Sequence, residues 1–193
     1  MSDMTYKCVF SDIDGTLVNG NQPISSKDQE AIKKLREKGH YFSFCTGRNI
    51  QETKITTPYF EYDYLVLNNG AMIVDQQDQV LYRKQIKNEI AKEILNESMQ
   101  KYPYLSYTFF DGKQTYGFIN EKTCKLTKEG YQEIEGDFLD ILNNTIEDID
   151  IVCAFHPEEK LDEIKEIQQQ INQKYTGIHA TLNVVYLDIT VDC

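Results

Sequence analysis

The sequence predicts an α/β fold in which parallel strands alternate with helices and are followed by a smaller α+β unit. Up to Gly70, short apolar runs alternate with helical stretches, which is typical of βαβ units with a parallel sheet. After Gly70, hairpin signals are mixed with helices, which favours a separate α+β arrangement. A chain of 193 residues is long enough for one large domain or two small ones.

Three strands and two helices are expected in the first part of the chain. The strands are expected at residues 7–11, 41–45 and 64–67, the first of them as a short buried strand. Ser25 and Ser26 are candidates for the N-cap of the first helix, and Gly39 suits the position that follows its end. A short polar helix is expected from about Ile50.

The second part begins where the pattern changes, near residues 81–84. Just before it, the apolar runs at 71–74 and 80–82 flank a polar stretch and predict a hairpin. Beyond it, strands are expected at residues 105–110, 115–119, 149–155 and, as one or two strands, 178–191, and helices at 86–102, 132–142 and 158–175. We therefore expect two units, 1–82 and 83–193.

The charge and the apolar pattern exclude several classes of protein. The chain carries 20 Lys and Arg against 31 Asp and Glu, a net charge of -11, which argues against a general nucleic-acid binder. No apolar run approaches the ~20 residues that a membrane span needs, and the N-terminus lacks the basic and apolar regions of a secretory signal. Five widely spaced cysteines without a CxxC pair fit a reducing cytosol, so we expect a cytoplasmic protein. A catalytic cysteine is disfavoured, because none of the three histidines stands in a recognisable context.

Asp12 and Asp14 follow the first strand directly and are separated by one residue. Alternate residues of an extended chain point the same way, so the two carboxylates can share one pocket. Such a pair suits Mg²⁺, which takes oxygen ligands together with waters and a substrate phosphate. A carboxylate is also a competent nucleophile toward phosphorus and forms an aspartyl-phosphate. The alternative is a turn of solvated acids, in which Gly15 supplies the turn.

Two further polar clusters follow the second and third strands. Thr46, Gly47 and Arg48 combine a hydroxyl, backbone N–H groups and a guanidinium, which suits an anion site; the alternative is that Thr46 caps the next helix. Asn69 stands in an Asn-Asn-Gly sequence that forms either a type I′ turn or a substrate contact. Because ligands bind at the carboxyl ends of parallel strands, we expect all three clusters at one rim of the sheet.

These motifs together resemble a known family. The segment DIDGTL at residues 12–17, followed by CTGR at 45–48 and NGA at 69–71, closely resembles the haloacid dehalogenase superfamily, and more narrowly its Cof-type sugar-phosphate phosphatases. The resemblance spans nearly the whole chain. It implies a Rossmann-like core at residues 1–82 and an inserted α+β cap at 83–193.

The resemblance also implies roles for the motif residues. Asp12 would be the nucleophile and a Mg²⁺ ligand, and Asp14 would be the general acid and base and give its main-chain carbonyl to Mg²⁺. Thr46 would bind the phosphoryl group that is transferred. The remaining phosphate-binding and substrate-binding positions would be Gly15, Thr16, Gly47, Arg48 and Asn69.

The pattern of the superfamily continues after the cap with a lysine and a Gly-Asp-x-x-x-Asp segment, for which this sequence has no counterpart. We therefore expect a parallel sheet that is incomplete at its C-terminal end, and self-association through the uncovered core. The main hypothesis is a Mg²⁺-dependent phosphatase that acts on a small phosphorylated metabolite. The alternatives are a catalytically impaired module that binds a ligand or partner, and a phosphomutase of the same superfamily.

Overall fold

The computed structural model describes residues 7–19, 22–58, 60–183 and 185–192, and the chain divides into two compact units, Met1–Arg83 and Lys84–Cys193. Residues 1–6, on which the expectation of no secretory signal rests, and Cys193 lie outside the described residues. In the part that is described, no helix has both the length and the apolar character that crossing a bilayer requires. Each unit has its own sheet and its own core.

The first unit alternates between strands and helices up to its third strand. In chain order its elements are β1 (Cys8–Ser11), α1 (Ser26–Glu37), β2 (Tyr41–Cys45), α2 (Ile50–Thr56), β3 (Tyr64–Leu67), a 3₁₀ turn (Asn68–Gly70), β4 (Met72–Asp75) and β5 (Val80–Arg83). The strands form one sheet in the order β1-β2-β3-β4-β5. Strands β1, β2 and β3 are parallel, and β4 and β5 extend the sheet as an antiparallel hairpin. The predicted α/β fold is confirmed.

Local sequence explains where α1 begins and ends. The hydroxyl of Ser25 accepts a hydrogen bond from the N–H of Asp28 at 3.1 Å, and so caps the first turn. Gly39 adopts φ +78, a conformation that favours glycine, and turns the chain into β2. Ile32 is buried on the side of α1 that faces the sheet core. The helix therefore returns the chain to the end of the sheet from which β2 runs parallel to β1.

The core of the first unit is filled from alternate positions of its central strands. Phe42 and Phe44 lie two residues apart on β2, are both buried, and have ring centroids 5.4 Å apart. Leu65 and Leu67 of β3 and Val74 of β4 are fully buried in the same cluster. This packing fixes β2 and β3, whose carboxyl ends carry two of the polar clusters.

Strand β1 departs from the burial that its sequence predicts. It pairs with β2 and lies at one edge of the five-stranded sheet. Its Val9 and Phe10 side chains are 39% and 57% exposed. The prediction of a buried strand is therefore wrong for the described chain. An apolar run is typical of a strand with a neighbouring strand on each side, whereas β1 has only β2 beside it in the described sheet.

The second unit combines a seven-stranded sheet with helices. In chain order its elements are α3 (Asn88–Lys101), β6 (Ser106–Phe110), β7 (Thr115–Ile119), β8 (Lys122–Thr127), β9 (Gly130–Glu133), α4 (Phe138–Asn144), β10 (Ile151–Phe155), α5 (Asp162–Lys174), β11 (Ile178–Asn183) and β12 (Tyr186–Val191). The strands lie in the order β11-β12-β10-β6-β7-β8-β9, and each neighbouring pair is antiparallel. Tyr107, Phe109 and Val152 are buried in one core with side chains of the helices.

One predicted helix of this unit begins too early. The expected helix at 132–142 is replaced by the end of β9 and by α4, which starts only at Phe138. The Oδ1 atom of Asp137 caps α4 by accepting hydrogen bonds from the N–H groups of Leu139 and Asp140 at 2.9 and 3.1 Å. The β8–β9 hairpin was not predicted, because β9 is a mostly exposed edge strand without a regular apolar alternation.

We expect Phe44→Ala to lower the free energy of unfolding by about 3–5 kcal/mol, because it opens a cavity in a buried aromatic cluster. Phe44 is fully buried, and its ring centroid lies 5.2 Å from that of Phe60. Urea denaturation followed by circular dichroism measures the change. Phe10→Ala is the control, since this side chain is 57% exposed and its loss should cost less than about 1 kcal/mol. Equal losses for the two variants would contradict the assignment of the core.

Candidate active site

The loop that follows β1 turns tightly around Ile13. The carbonyl of Ile13 accepts a hydrogen bond from the N–H of Val18 at 2.9 Å, and Gly15 adopts φ +74 within this turn. Ile13 is fully buried, whereas Asp12 and Asp14 on either side of it are exposed. The main chain therefore brings both carboxylates to the surface at the carboxyl end of β1.

Asp12 has a hydroxyl and a thiol in its surroundings. The Oγ1 atom of Thr16 donates to Oδ2 of Asp12 at 3.4 Å, a long hydrogen bond. Desolvation, and secondarily the negative charge of Asp12, raise the pKa of the Cys45 thiol at the end of β2. A raised pKa keeps this thiol protonated at neutral pH, which favours the carboxylate over the cysteine as a nucleophile. Within the described residues, the Asp12 carboxylate takes part in no ion pair.

Asp14 is held by a bidentate ion pair with Arg48. The Nε and Nη2 atoms of the guanidinium donate to Oδ2 and Oδ1 of Asp14 at 2.7 and 2.8 Å. The Nη1 atom of Arg48 donates to the Oγ1 atom of Thr56 at 2.6 Å, at the end of α2. Both partners are partly exposed, so the pair contributes little to stability, but its fork geometry fixes the direction of the carboxylate.

The segment Thr46, Gly47 and Arg48 connects β2 to α2. The N–H of Thr46 donates to the carbonyl of Val66 at 2.9 Å, so the pairing with β3 continues one residue past β2. The N–H of Arg48 donates to the hydroxyl oxygen of Thr46 at 3.2 Å. Thr46 is buried, and its hydroxyl is thus directed at its own loop and does not cap α2.

The residue that caps α2 is Asn49, which the sequence analysis did not single out. Its Oδ1 atom accepts from the N–H of Glu52 at 2.9 Å, and the Glu52 carboxylate accepts from the N–H of Asn49 at 3.1 Å. This reciprocal pair is a capping box, and the Asn-x-x-Glu spacing was the signal that could have revealed it.

The Asn68–Asn69 turn at the end of β3 is hydrogen-bonded to the Thr46–Gly47–Arg48 segment. Asn68 and Asn69 have φ values of 52 and 53, which asparagine tolerates better than most residues. The N–H of Asn68 donates to the carbonyl of Arg48 at 3.1 Å, and that of Asn69 to the carbonyl of Thr46 at 3.3 Å. Asn69 is exposed, and Asn68 is completely buried.

The structure therefore links the three polar clusters that the sequence placed at strand ends. Asp14 contacts Arg48, Asp12 contacts Thr16, and the backbone of Asn69 contacts that of Thr46. The donor set at the end of β1 is made of carboxylate, carbonyl and hydroxyl oxygens, the type that Mg²⁺ prefers. No group of three or more His, Cys, Asp or Glu side chains suited to a metal occurs in the ranges 7–19, 22–58, 60–183 and 185–192. The oxygen donors nevertheless fit Mg²⁺, which is commonly held by one or two carboxylates plus waters and phosphate.

Comparison with known proteins assigns this arrangement to a family. A family model described as haloacid dehalogenase-like hydrolase matches residues 9–191. A protein of Buchnera aphidicola subsp. Baizongia pistaciae named as a putative phosphatase is 32% identical over 105 residues, 52% of this chain and 38% of that protein. A Bacillus subtilis protein named 5-amino-6-(5-phospho-D-ribitylamino)uracil phosphatase is 31% identical over 98 residues, 51% of this chain and 34% of that protein. The matched regions thus span well under half of these curated relatives.

A solved structure shows the same fold over nearly the whole chain. A haloacid dehalogenase-like hydrolase from B. subtilis superimposes with a TM-score of 0.76 at 14% identity, and the match covers 96% of this chain and 73% of that one.

We expect Asn49→Ala to lower the free energy of unfolding by about 1–2 kcal/mol, because it removes the acceptor that caps α2. The Asn49 side chain is nearly fully buried, so its loss would leave the N–H of Glu52 without its hydrogen-bond acceptor in a desolvated position. Urea denaturation measures the loss. Asn49→Ser is the matched control, since serine restores a capping oxygen, and it should retain most of the stability. An unchanged midpoint for Asn49→Ala would disprove the capping role.

Proposed function

The chain belongs to the haloacid dehalogenase-like hydrolase family, and we propose that it hydrolyses small phosphomonoesters, with sugar phosphates as the substrate class, through an aspartyl-phosphate on Asp12. One observation carries the proposal. Asp12 is an exposed carboxylate at the carboxyl end of a parallel strand and takes part in no ion pair with a described residue, whereas Asp14, two residues on, is oriented by Arg48. The two acids are thus held in different environments, as a nucleophile and a proton-transfer group require.

The proposed reaction has two steps at phosphorus. An Oδ atom of Asp12 attacks the phosphorus atom, the ester P–O bond breaks, and the leaving alcohol takes a proton from Asp14. Water then attacks the phosphorus of the aspartyl-phosphate and gives a proton to the Asp14 carboxylate, and the bond to Asp12 breaks to release inorganic phosphate. Asp14 therefore carries the proton from the water of one turnover to the leaving alcohol of the next. After Asp14 has given its proton to the leaving alcohol and before it takes one from water, the guanidinium of Arg48 orients the Asp14 carboxylate.

Groups from all three strand ends are proposed to bind the substrate. The hydroxyls of Thr16 and Thr46 and the backbone N–H of Gly47 would contact phosphoryl oxygens, and glycine at this position allows a close approach of the backbone. Asn69, exposed beside Thr46, would contact the rest of the substrate. Support for a small phosphorylated metabolite comes from the name of the Bacillus subtilis relative, which contains a phosphorylated ribityl group.

Mg²⁺ is the cofactor proposed for this site. The carboxylate of Asp12 and the main-chain carbonyl of Asp14 are the groups that would hold it. When bound, the ion supplies charge neutralisation between an anionic nucleophile and an anionic phosphate. This matters for a chain with a net charge of -11, in which Asp12 has no ion-pair partner in the described ranges.

The second candidate function is a module that binds a phosphorylated ligand without turnover. The observation that favours it is the small number of acidic groups at the rim, since the described residues contain no cluster of three metal-binding side chains. Such a protein would bind a phosphate ester at Thr46 and the backbone N–H of Gly47 but would not complete hydrolysis.

The charge, the cysteines and an exposed edge strand support proposals about the partners and the location of the protein. A net charge of -11 disfavours nucleic acid as a partner. Among the described residues, Cys8, Cys45, Cys124 and Cys153 form no disulfide, which supports a cytoplasmic location. The exposed Val9 and Phe10 on the edge strand β1 support self-association through this edge.

The enzyme proposal is tested by Mg²⁺-dependent release of phosphate from p-nitrophenyl phosphate. We expect turnover that chelation by EDTA abolishes and that Asp12→Asn reduces by on the order of 10³-fold or more, since the nucleophile is lost. Asp28→Asn is the matched control, because this carboxylate lies in the first turn of α1, outside the site. Equal rates for the parent and Asp12→Asn would rule out Asp12 as the nucleophile.

Titration calorimetry with beryllium fluoride separates the two candidate functions. Beryllium fluoride mimics a phosphoryl group on a carboxylate, so an enzyme that uses Asp12 should bind it only in the presence of Mg²⁺ and not at all after Asp12→Asn. A module that binds phosphorylated ligands through Thr46 should instead bind inorganic phosphate and show no dependence on Asp12. Phosphate binding without any beryllium fluoride binding would favour the second candidate.

A further inference from the structure

Asn68, whose backbone N–H donates to the carbonyl of Arg48 in the segment Thr46–Gly47–Arg48, carries a buried side-chain amide. Asn68 is completely buried, and neither its Oδ1 nor its Nδ2 atom has a hydrogen-bond partner among the described residues. An amide buried in this way is costly, and most buried polar side chains in proteins are satisfied by protein groups or by water. An apolar or smaller residue would avoid this cost, so the amide calls for a physical explanation.

The backbone around Asn68 is also unusual. Asn68, Asn69 and Gly70 have consecutive φ values of 52, 53 and 100, a left-handed run that only a few residue types adopt without strain. This run directs two successive N–H groups at the anion segment, those of Asn68 and Asn69 at the carbonyls of Arg48 and Thr46. The turn therefore supports the segment from the side of β3.

We propose that Asn68 is a positioning residue for the anion site: its buried amide binds an internal water molecule and thereby holds the Thr46–Gly47–Arg48 segment in the conformation that accepts a phosphoryl group. A single water has the size and the mixed donor and acceptor character that match both atoms of an amide. Asn68 does not touch the substrate in this role, since it has no exposed surface. The inference rests on the proposed function, because it concerns the phosphate site of that reaction.

The test compares two asparagines that share a backbone conformation. Asn68→Gly removes the amide and keeps the left-handed φ accessible. Asn120→Gly is the matched control, because Asn120 also has a φ of 52 but is exposed in the turn between β7 and β8. Both substitutions increase the freedom of the unfolded chain in the same way. Circular dichroism of both variants establishes that they are folded at the temperature of the assay.

Two readouts are measured on the full chain. Hydrogen exchange of the amides of residues 46–49 should become roughly tenfold faster in Asn68→Gly and stay unchanged in Asn120→Gly. The dissociation constant for inorganic phosphate with Mg²⁺, measured by calorimetry, should rise roughly tenfold in Asn68→Gly alone. A lower melting temperature of Asn68→Gly with unchanged exchange at residues 46–49 would overturn the proposal and leave Asn68 as a packing residue.

The two readouts also separate this proposal from the function on which it rests. If the parent chain binds no phosphate, the proposed phosphate site is wrong, and the exchange data still decide whether Asn68 holds the segment. If the parent binds phosphate and Asn68→Gly exchanges faster but binds it equally well, Asn68 does not position the anion site. A high-resolution crystal structure that shows an ordered water on the Asn68 amide would support the proposal, and one that shows a protein group there would overturn it.

Discussion

The parallel pairing of β1, β2 and β3 is the constraint on which the candidate site depends. Ser11 is opposite Phe44, and Cys45 is opposite Val66, so the carboxyl ends of the three strands reach the same rim. Each strand end continues into a polar segment, and the N–H of Thr46 carries the pairing one residue further. Antiparallel strands would send these segments to opposite ends of the sheet, and the residues could not act together.

Arg48 sets the surroundings of Asp14 at this rim. Arg48 neutralises Asp14 through two hydrogen bonds and reaches Thr56 with its third nitrogen, and it thereby links the β1 loop to α2. Asp12, two residues earlier, has a hydroxyl contact from Thr16. Two identical carboxylates are therefore placed in different surroundings, which is the physical basis for assigning them different roles. Because the chain as a whole is acidic, attraction of any anion to this rim depends on local groups such as Arg48.

The sequence predicted most of the first unit and less of the second. Strong local signals, such as the Ser25 cap and the apolar runs of β2 and β3, located their elements well. The helix expected at 132–142 was misplaced, because the weakly patterned edge strand β9 precedes α4. The burial of β1 could not be read from its residues either, since an apolar run does not reveal how many neighbours a strand has. Asn49 carried a capping signal that competed with the more conspicuous Thr46.

By itself, the sequence determined the family, the order of strands and helices around the site, and the residue types at each strand end, because these depend on local pattern and spacing. Only the tertiary structure decided which groups are partners: that Arg48 pairs with Asp14, that the hydroxyl of Thr46 accepts from its own loop, and that the side-chain amide of Asn68 is buried without a hydrogen-bond partner among the described residues. Such pairings join residues that are distant in the chain. They are fixed by the register of the sheet and by the contacts between the loops at its rim, which no local sequence pattern encodes.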